Sequence, residues 1–424
     1  MISAPASGAG KTVTTLALLR ALRDRGIDVW AGKSGPDYID PQFHQAATGF
    51  PSVTLDRWAM SAETLRARAA AQGGELLIVE GAVGLLDGAG MAGVGSAADL
   101  AVALGAPVVL VVDAARHAHS AVLPLAGAQA LRPDLSIAGV ILNRIGSPRH
   151  EAMARGAVER AGFTCFGAIP RSEALATPSR HLGLVQAAER PDIEAFIAHA
   201  AATIADCVNL DALAAVAAPL TAAKTAPAMI APLGQRIAVA SDVAFAFAYP
   251  HMLDDWRRAG AEISLFSPLA DQAPEPDADA VFLPGGYPEL HAATLANASR
   301  FRAGMAAHQG LIYGECGGYM TLGEGLIDAD GARHQMLGLL PLTTSFATRK
   351  LTLGYRQLTG LGGAFPGHYA AHEFHYATIT EERSASRLFA ARDADGTELA
   401  HMGMRVAHVS GSFAHLIGPE KNTE

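Results

Sequence analysis

Apolar residues in the first half of the chain gather into short runs at Asp28–Lys33, Leu76–Val79, Val108–Val112, Ile137–Leu142 and Phe166–Ile169. Runs of that length predict buried parallel strands, because a strand covered on both faces has no polar side to present. Between them lie stretches such as Thr12–Arg25 and Ala97–Leu104, rich in Ala, Leu and Arg, which predict the helices that carry the chain back over the sheet. The alternation implies an α/β doubly wound parallel sheet. From Asn209 to Gly234 the pattern lapses into alanines punctuated by Pro219, Pro227 and Pro232. A second series follows at Arg236–Ala240, Glu262–Phe266, Ala280–Leu283 and Leu311–Tyr313. Beyond Met336, Leu351–Leu358 and Tyr376–Thr380 predict antiparallel strands added to that second sheet. The expected division is a domain at residues 1–208, a linker at 209–234 and a second domain at 235–424.

Length agrees with two domains, since 424 residues exceed what one hydrophobic core supports. No apolar stretch is long enough to cross a bilayer and Met1 opens no leader pattern, so a soluble, cytoplasmic protein is expected. Cys165, Cys207 and Cys316 are odd in number and far apart, which excludes a disulfide framework or a cysteine zinc site. The net charge of −9 gives no general attraction to nucleic acid or to an anionic membrane, and leaves a homodimer open.

Chemistry enters at the N-terminus. Ala4-Pro5-Ala6-Ser7-Gly8-Ala9-Gly10-Lys11-Thr12 lies between a short apolar start and an amphipathic helix. In such a loop the backbone N–H groups of Ser7, Gly8, Ala9 and Gly10 turn toward phosphate, Lys11 reaches the terminal phosphates and the Thr12 hydroxyl suits Mg²⁺. The loop departs from G-x-x-x-x-G-K-[ST], with Pro5 at the first glycine's place. Asp37 and Glu80 follow the second and third predicted strands, at the edge where ligands collect in open α/β sheets, and are candidates to complete the Mg²⁺ shell. Their plainer reading is an Asx turn beside Pro36 and a helix cap. Asn143 reads equally as an adenine contact or a strand-end cap.

In the second half, Leu311-Ile312-Tyr313-Gly314-Glu315-Cys316-Gly317-Gly318-Tyr319-Met320 is a strand, a tight turn carrying a cysteine and a helix. That is a nucleophile elbow, and the helix N-terminus is expected to lower the thiol pKa. Gly286 and Tyr287, after another strand, and Gly317 offer N–H groups for an oxyanion hole. His415 in Gly411-Ser412-Phe413-Ala414-His415 is the candidate base. Cys165 and Cys207 have no such turn and read as packing residues. His372-Glu373-Phe374-His375 lacks the spacing that puts two histidines on one helical face, so it reads as substrate-binding or cleft-shaping rather than as a metal site.

With these motifs in hand the chain resembles, over its whole length, the corrinoid a,c-diamide synthases, which amidate cobyrinic or hydrogenobyrinic acid with ATP, Mg²⁺ and glutamine. The resemblance rests on Ala4–Thr12, Lys33–His44 (KSGPDYIDPQFH), Leu55–Met60 (LDRWAM), Val79–Gly88 (VEGAVGLLDG), Arg180–Leu184 (RHLGL), Pro284–Glu289 (PGGYPE), Gly314–Met320 (GECGGYM) and Gly411–His415 (GSFAH). It implies a P-loop domain similar to dethiobiotin synthetase and a flavodoxin-like class I glutaminase domain. It implies that Thr12, Asp37 and Glu80 bind Mg²⁺, that Lys11 and Lys33 offset phosphoryl charge, and that Cys316 attacks glutamine with His415 as base. Class I glutaminases carry a glutamate two residues after the histidine; here that residue is Ile417, so a missing third member and modest glutaminase activity are expected. Candidate corrinoid contacts are Tyr38, Asp40, Arg116, His117, Ser120, Arg180 and His181. The substrate reads as hydrogenobyrinic acid ahead of cobyrinic acid. The alternatives are a cobyric acid synthase amidating other side chains, and a regulatory ATPase of the ParA/MinD type.

Overall fold

The computed structural model describes residues 1–175, 179–180, 183–184 and 186–421, with the side chains of 179, 180, 183, 184 and 188 left aside. Two compact units divide it, Met1–Pro227 and Ala228–Glu424. Among the described residues no helix is long and apolar enough to cross a membrane.

In the first unit seven strands, β1 (Ile2–Ser3), β2 (Val29–Ser34), β3 (Val53–Leu55), β4 (Leu76–Glu80), β5 (Val108–Asp113), β6 (Ile137–Ile145) and β7 (Cys165–Pro170), form one sheet in the order β3-β2-β4-β1-β5-β6-β7. Every neighbouring pair is parallel. β5 reads VVLVVD and β6 IAGVILNRI, and their Val109–Val112 and Val140–Leu142 segments are buried on both sides, as the unbroken apolar runs require. β3 has only three residues and no run of its own to announce it. Helix α1 (Lys11–Asp24) buries Leu16, Leu18, Leu19 and Leu22, at roughly 1.5–3 kcal/mol per leucine removed from water. β1 lies between β4 and β5, so the loop that leaves it opens where the direction of winding reverses. Past β7, helix Leu210–Ala215 still belongs to this unit, burying Leu210 and Leu213, and the Asn209 N–H donates to the Phe166 carbonyl.

The second unit has a ten-stranded sheet. Its parallel part runs Glu262–Phe266, Arg236–Ala240, Ala280–Leu283, Leu311–Glu315, Val409–Ser412. It continues antiparallel through Glu398–Val406, Ser386–Arg392, Thr352–Gly360, His368–His375 and His415–Pro419. The strand expected at Tyr376–Thr380 forms at Thr378–Glu382, but in a separate four-stranded sheet, antiparallel to Leu342–Ser345. This corrects the expected addition to the main sheet. A strand pattern says which face is buried and not which neighbour will be met, because pairing is decided by distant segments. The core joins Val281, Leu283 and Ile312 to Phe301, Tyr319, Met320 and Leu322.

Candidate active site

Helix α1 starts without a side-chain cap: its N-cap is Gly10 at φ 89°, ψ 18°. The first-turn N–H groups are therefore left for a ligand, and a helix N-terminus with open donors is an anion receptor. The helix Ala97–Leu104 of the same unit shows the contrast, because Ser96 and Asp99 close its N-terminus in a capping box. Pro5, Ala6, Ser7 and Gly8 are exposed. Gly10 needs its left-handed φ, and a Cβ there would stand 2.1 Å from Asn143 Nδ2. That amide donates to the Ala9 carbonyl at 2.8 Å, while Asn143 Oδ1 accepts the Arg144 N–H. The structure thus places Asn143 against the backbone of the loop.

Lys11 donates to the Val83 carbonyl at 2.7 Å. Thr12 Oγ1 donates to Glu80 Oε1 at 2.7 Å. Behind them is a buried charge cluster. Lys33 Nζ, at the end of β2, reaches Asp40, Glu80 Oε1 at 3.1 Å and Asp37 Oδ2 at 3.6 Å. His44 Nε2 meets Glu80 Oε2 at 2.8 Å and its Nδ1 meets Ser52 Oγ at 3.0 Å. Glu80 is fully buried at the end of β4 and is not a helix cap. Burial alone would raise its pKa, but Lys33 and then His44 hold it below the ordinary carboxylate range. Burial likewise works against the Lys33 ammonium, and Asp40, Glu80 and Asp37 outweigh it, so its pKa is raised. Asp40 is driven upward by burial and by Asp37. Lys11 is lowered by burial and by its neighbour Lys33.

Asp37 Oδ1 accepts the N–H groups of Ile39 and Asp40, an Asx turn, which leaves Oδ2 turned to Lys33. Tyr38 is half-buried, and Arg116, His117 and Ser120 are exposed just past β5. Arg180 is described only as backbone of the short strand Ser179–Arg180, and His181 lies outside the described residues. Among the described residues no three His, Cys, Asp or Glu side chains form a metal cage. The donors near Thr12 are hard oxygens, which suit Mg²⁺ in the way it is usually held, by one or two protein oxygens with phosphate and water.

In the second unit Cys316 sits between strand Leu311–Glu315 and helix Gly317–Leu322 at φ 45°, ψ −100°, a strained backbone for a residue with a Cβ. Its N–H donates to the Ser412 carbonyl at 2.8 Å, tying the elbow to the neighbouring parallel strand. Gly285 brings the constellation together: a Cβ there would meet His415 Cε1 at 2.3 Å, His415 Nε2 at 3.1 Å and Cys316 Cβ at 3.3 Å. The imidazole edge and the nucleophile therefore border one small space. A Cβ on Gly317 would meet Gly286 N at 2.9 Å, so two of the three expected oxyanion donors lie side by side; Tyr287 is fully buried at the next position. His415 is held in the strand His415–Pro419, opposite His372.

Burial pushes the Cys316 thiol up, and Glu289 and Glu373 add to the shift against the Gly317 N–H. A resting thiolate made by the helix terminus is thus not what this environment favours, since desolvation outweighs one backbone donor. Burial, with His372 and His375, takes His415 down to about 3, so its imidazole is neutral at rest. Beside it lies Glu315, buried, with Oε2 3.6 Å from His415 Nδ1. The HExH segment is a strand rather than a helix: Glu373 pairs with Arg356 at 2.9 Å and with His375 at 3.1 Å, and His375 stacks on Phe413.

Two family models cover these units, a CobQ/CobB/MinD/ParA nucleotide binding domain over residues 1–185 and a CobB/CobQ-like glutamine amidotransferase domain over residues 236–423. A hydrogenobyrinate a,c-diamide synthase of Rhizobium meliloti (strain 1021) is 56% identical over 423 residues, 98% of each chain. One of Brucella anthropi is 55% identical over 429 residues, again 98% of each chain. The chain belongs to the hydrogenobyrinate a,c-diamide synthase family. It is a glutamine-dependent amidating ligase with a nucleotide-binding domain, and the reading as a regulatory ATPase falls away.

Three participants in this synthase-family site were missed by motif reading. His44 closes the Glu80 cluster, the Val83 carbonyl holds Lys11, and Glu315 flanks His415. Glu315 had a signal, since it is a charged residue ending an otherwise apolar strand.

Proposed function

We propose that the chain converts hydrogenobyrinic acid to its a,c-diamide in the cytoplasm, consuming ATP and glutamine, with cobyrinic acid as the second candidate substrate. The observation that carries this is the 56% identity along 98% of the chain to a relative of that name. Residues 1–208 are assigned the ligase half-reaction and residues 235–424 the glutaminase half-reaction; a homodimer is compatible with both.

In the ligase half-reaction an acetate oxygen of the corrinoid attacks the γ-phosphorus of ATP. The acyl phosphate forms as the bond to ADP breaks. The open N–H groups at Ser7–Gly10 and the Lys11 ammonium, freed from Val83, receive the phosphates, and Lys33 supports them through the Asp37–Asp40–Glu80 cluster. Mg²⁺ held by Thr12 and Glu80, with Asp37 nearby, would offset charge on the phosphate oxygens. Tyr38, Asp40, Arg116, His117, Ser120, Arg180 and His181 are assigned to the corrinoid carboxylates and the reacting acetate.

In the glutaminase half-reaction Cys316 Sγ bonds to the amide carbon of glutamine while its proton passes to neutral His415. N–H groups at Gly286, Tyr287 and Gly317 receive the oxyanion. The proton leaves on ammonia as the C–N bond breaks, and water then hydrolyses the thioester to glutamate. Ammonia must reach the acyl phosphate unprotonated to displace phosphate.

The test is product mass from each corrinoid with ATP and glutamine, for wild type and Cys316→Ala. Two amidations, with the variant active on ammonia and inactive on glutamine, are expected. ATP hydrolysis without amidation of either corrinoid would refute the substrate assignment.

A further inference from the structure

Class I glutaminases draw their third group from two residues past the histidine, and in this chain that route is closed. Ile417 is apolar and buried, and its carbonyl is engaged by His251 Nε2 at 2.8 Å. The space behind His415 is filled from the other direction. Glu315 ends the strand Leu311–Glu315, pairs in register with Ser412, and immediately precedes the nucleophile. Its Oε1 accepts the Leu416 N–H at 3.1 Å, which fixes the carboxyl from the histidine's own strand, and its Oε2 stands 3.6 Å from His415 Nδ1. Glutamate and imidazole are 1% and 2% exposed, so both sit away from bulk solvent. The opposite edge of the ring faces Gly285 and Cys316.

We propose, resting on the glutaminase reading above, that Glu315 is the third member of the relay, a positioning residue whose carboxylate holds the Nδ1–H of His415 so that Nε2 faces the Cys316 thiol. The 3.6 Å gap exceeds a hydrogen bond, and contacts of this kind tighten when substrate binds. The proton account closes within the pair. Nε2 takes the thiol proton, Nδ1–H stays on the ring, and the carboxylate offsets the imidazolium until the proton leaves on ammonia. The sequence places acid and nucleophile side by side, and the elbow's turn sends one to each end of the same imidazole.

This arrangement has a signature in pH. Burial pushes Glu315 up to about 8, against the Leu416 N–H and Tyr313, which lower it. While Glu315 keeps its proton, the O–H donates to Nδ1 and the ring hydrogen sits on Nε2, the wrong tautomer for accepting from a thiol. Loss of that proton reverses the arrangement, so glutamine hydrolysis rises as pH passes about 8. The other charged or titratable groups around the pair are Tyr313, His372, His375, Glu373 with its partner Arg356, and Glu289.

The experiment uses the full chain and follows glutamate release from glutamine between about pH 6 and about pH 10 for wild type, Glu315→Gln, Glu315→Asp and Cys316→Ala. Glu315→Gln is expected to lower kcat by about 100-fold with KM for glutamine little changed, and to erase the limb near pH 8. Glu315→Asp, which keeps the charge, should retain more activity than Gln and keep the limb. A Gln variant with wild-type kcat and profile overturns the inference, as does a wild-type profile flat through pH 8; the latter decides the matter even if a variant fails to fold. Wild-type glutamate release that survives Cys316→Ala would instead bring down the glutaminase reading beneath it.

Discussion

Gly285 does its work by lacking an atom. Any Cβ at that position would press to 2.3 Å of the His415 ring and 3.3 Å of Cys316 Cβ, two groups that neither the strand nor the elbow can release. Gly285→Ala should therefore shift the imidazole by a fraction of an ångström and lower glutamine-supported kcat by about 100-fold. Product formation from ammonia, measured in the same preparation, should continue. The residues at this centre were unequally legible. Cys316 was marked as a candidate by the Gly-rich turn that follows an apolar run, and His415, one of sixteen histidines, only by its Gly-Ser-x-x-His setting. Glu315 carried no such mark, because class I glutaminases hold their third member downstream of the histidine, whereas here a carboxylate comes from the neighbouring strand upstream.

Between residues and whole units, the element that matters most is the loop from Ala4 to Gly10. It has no hydrogen-bond ladder of its own, and its shape is held by neighbours: the Asn143 amide on Ala9, and the Leu85 N–H on the Ala4 carbonyl at 2.7 Å. Asn143→Ala removes one such bond, a net loss of about 0.5–1.5 kcal/mol of loop order. KM for ATP should rise roughly three- to tenfold, with glutamine hydrolysis unaffected; steady-state kinetics on both substrates check it. The strands and helices that frame this loop were readable from period alone, since β2, β4, β5, β6 and β7 carry unbroken apolar runs. β3 was not, being only three residues long, nor was the separate sheet that takes Thr378–Glu382, because its partner Leu342–Ser345 lies far off in sequence.

At the scale of the molecule, two compact units match a nucleotide binding domain and a glutamine amidotransferase domain. Lys11→Ala should stop amidation from glutamine and from ammonia alike, by at least about 100-fold, while glutamate release continues; assaying both products in one mixture checks it. The Pro-punctuated alanine stretch at 209–234 is where the sequence suggests a boundary, and the charge cluster under the phosphate loop was not legible, because Lys33, Asp40, His44 and Glu80 meet only when β2, β4 and the helix Asp40–Thr48 are assembled. The environment of Cys316 also sets how this protein meets an oxidising or electrophilic world. Burial pushes the Cys316 thiol up, so slow reaction with peroxide and with small alkylating agents is the expected outcome, because those reagents consume thiolate. Under the proposed mechanism, a molecule that enters as glutamine does and passes the thiol proton to His415 would expose the sulfur's reactivity. Chemoselective probes for this enzyme therefore have to be glutamine mimics carrying a warhead at the amide carbon.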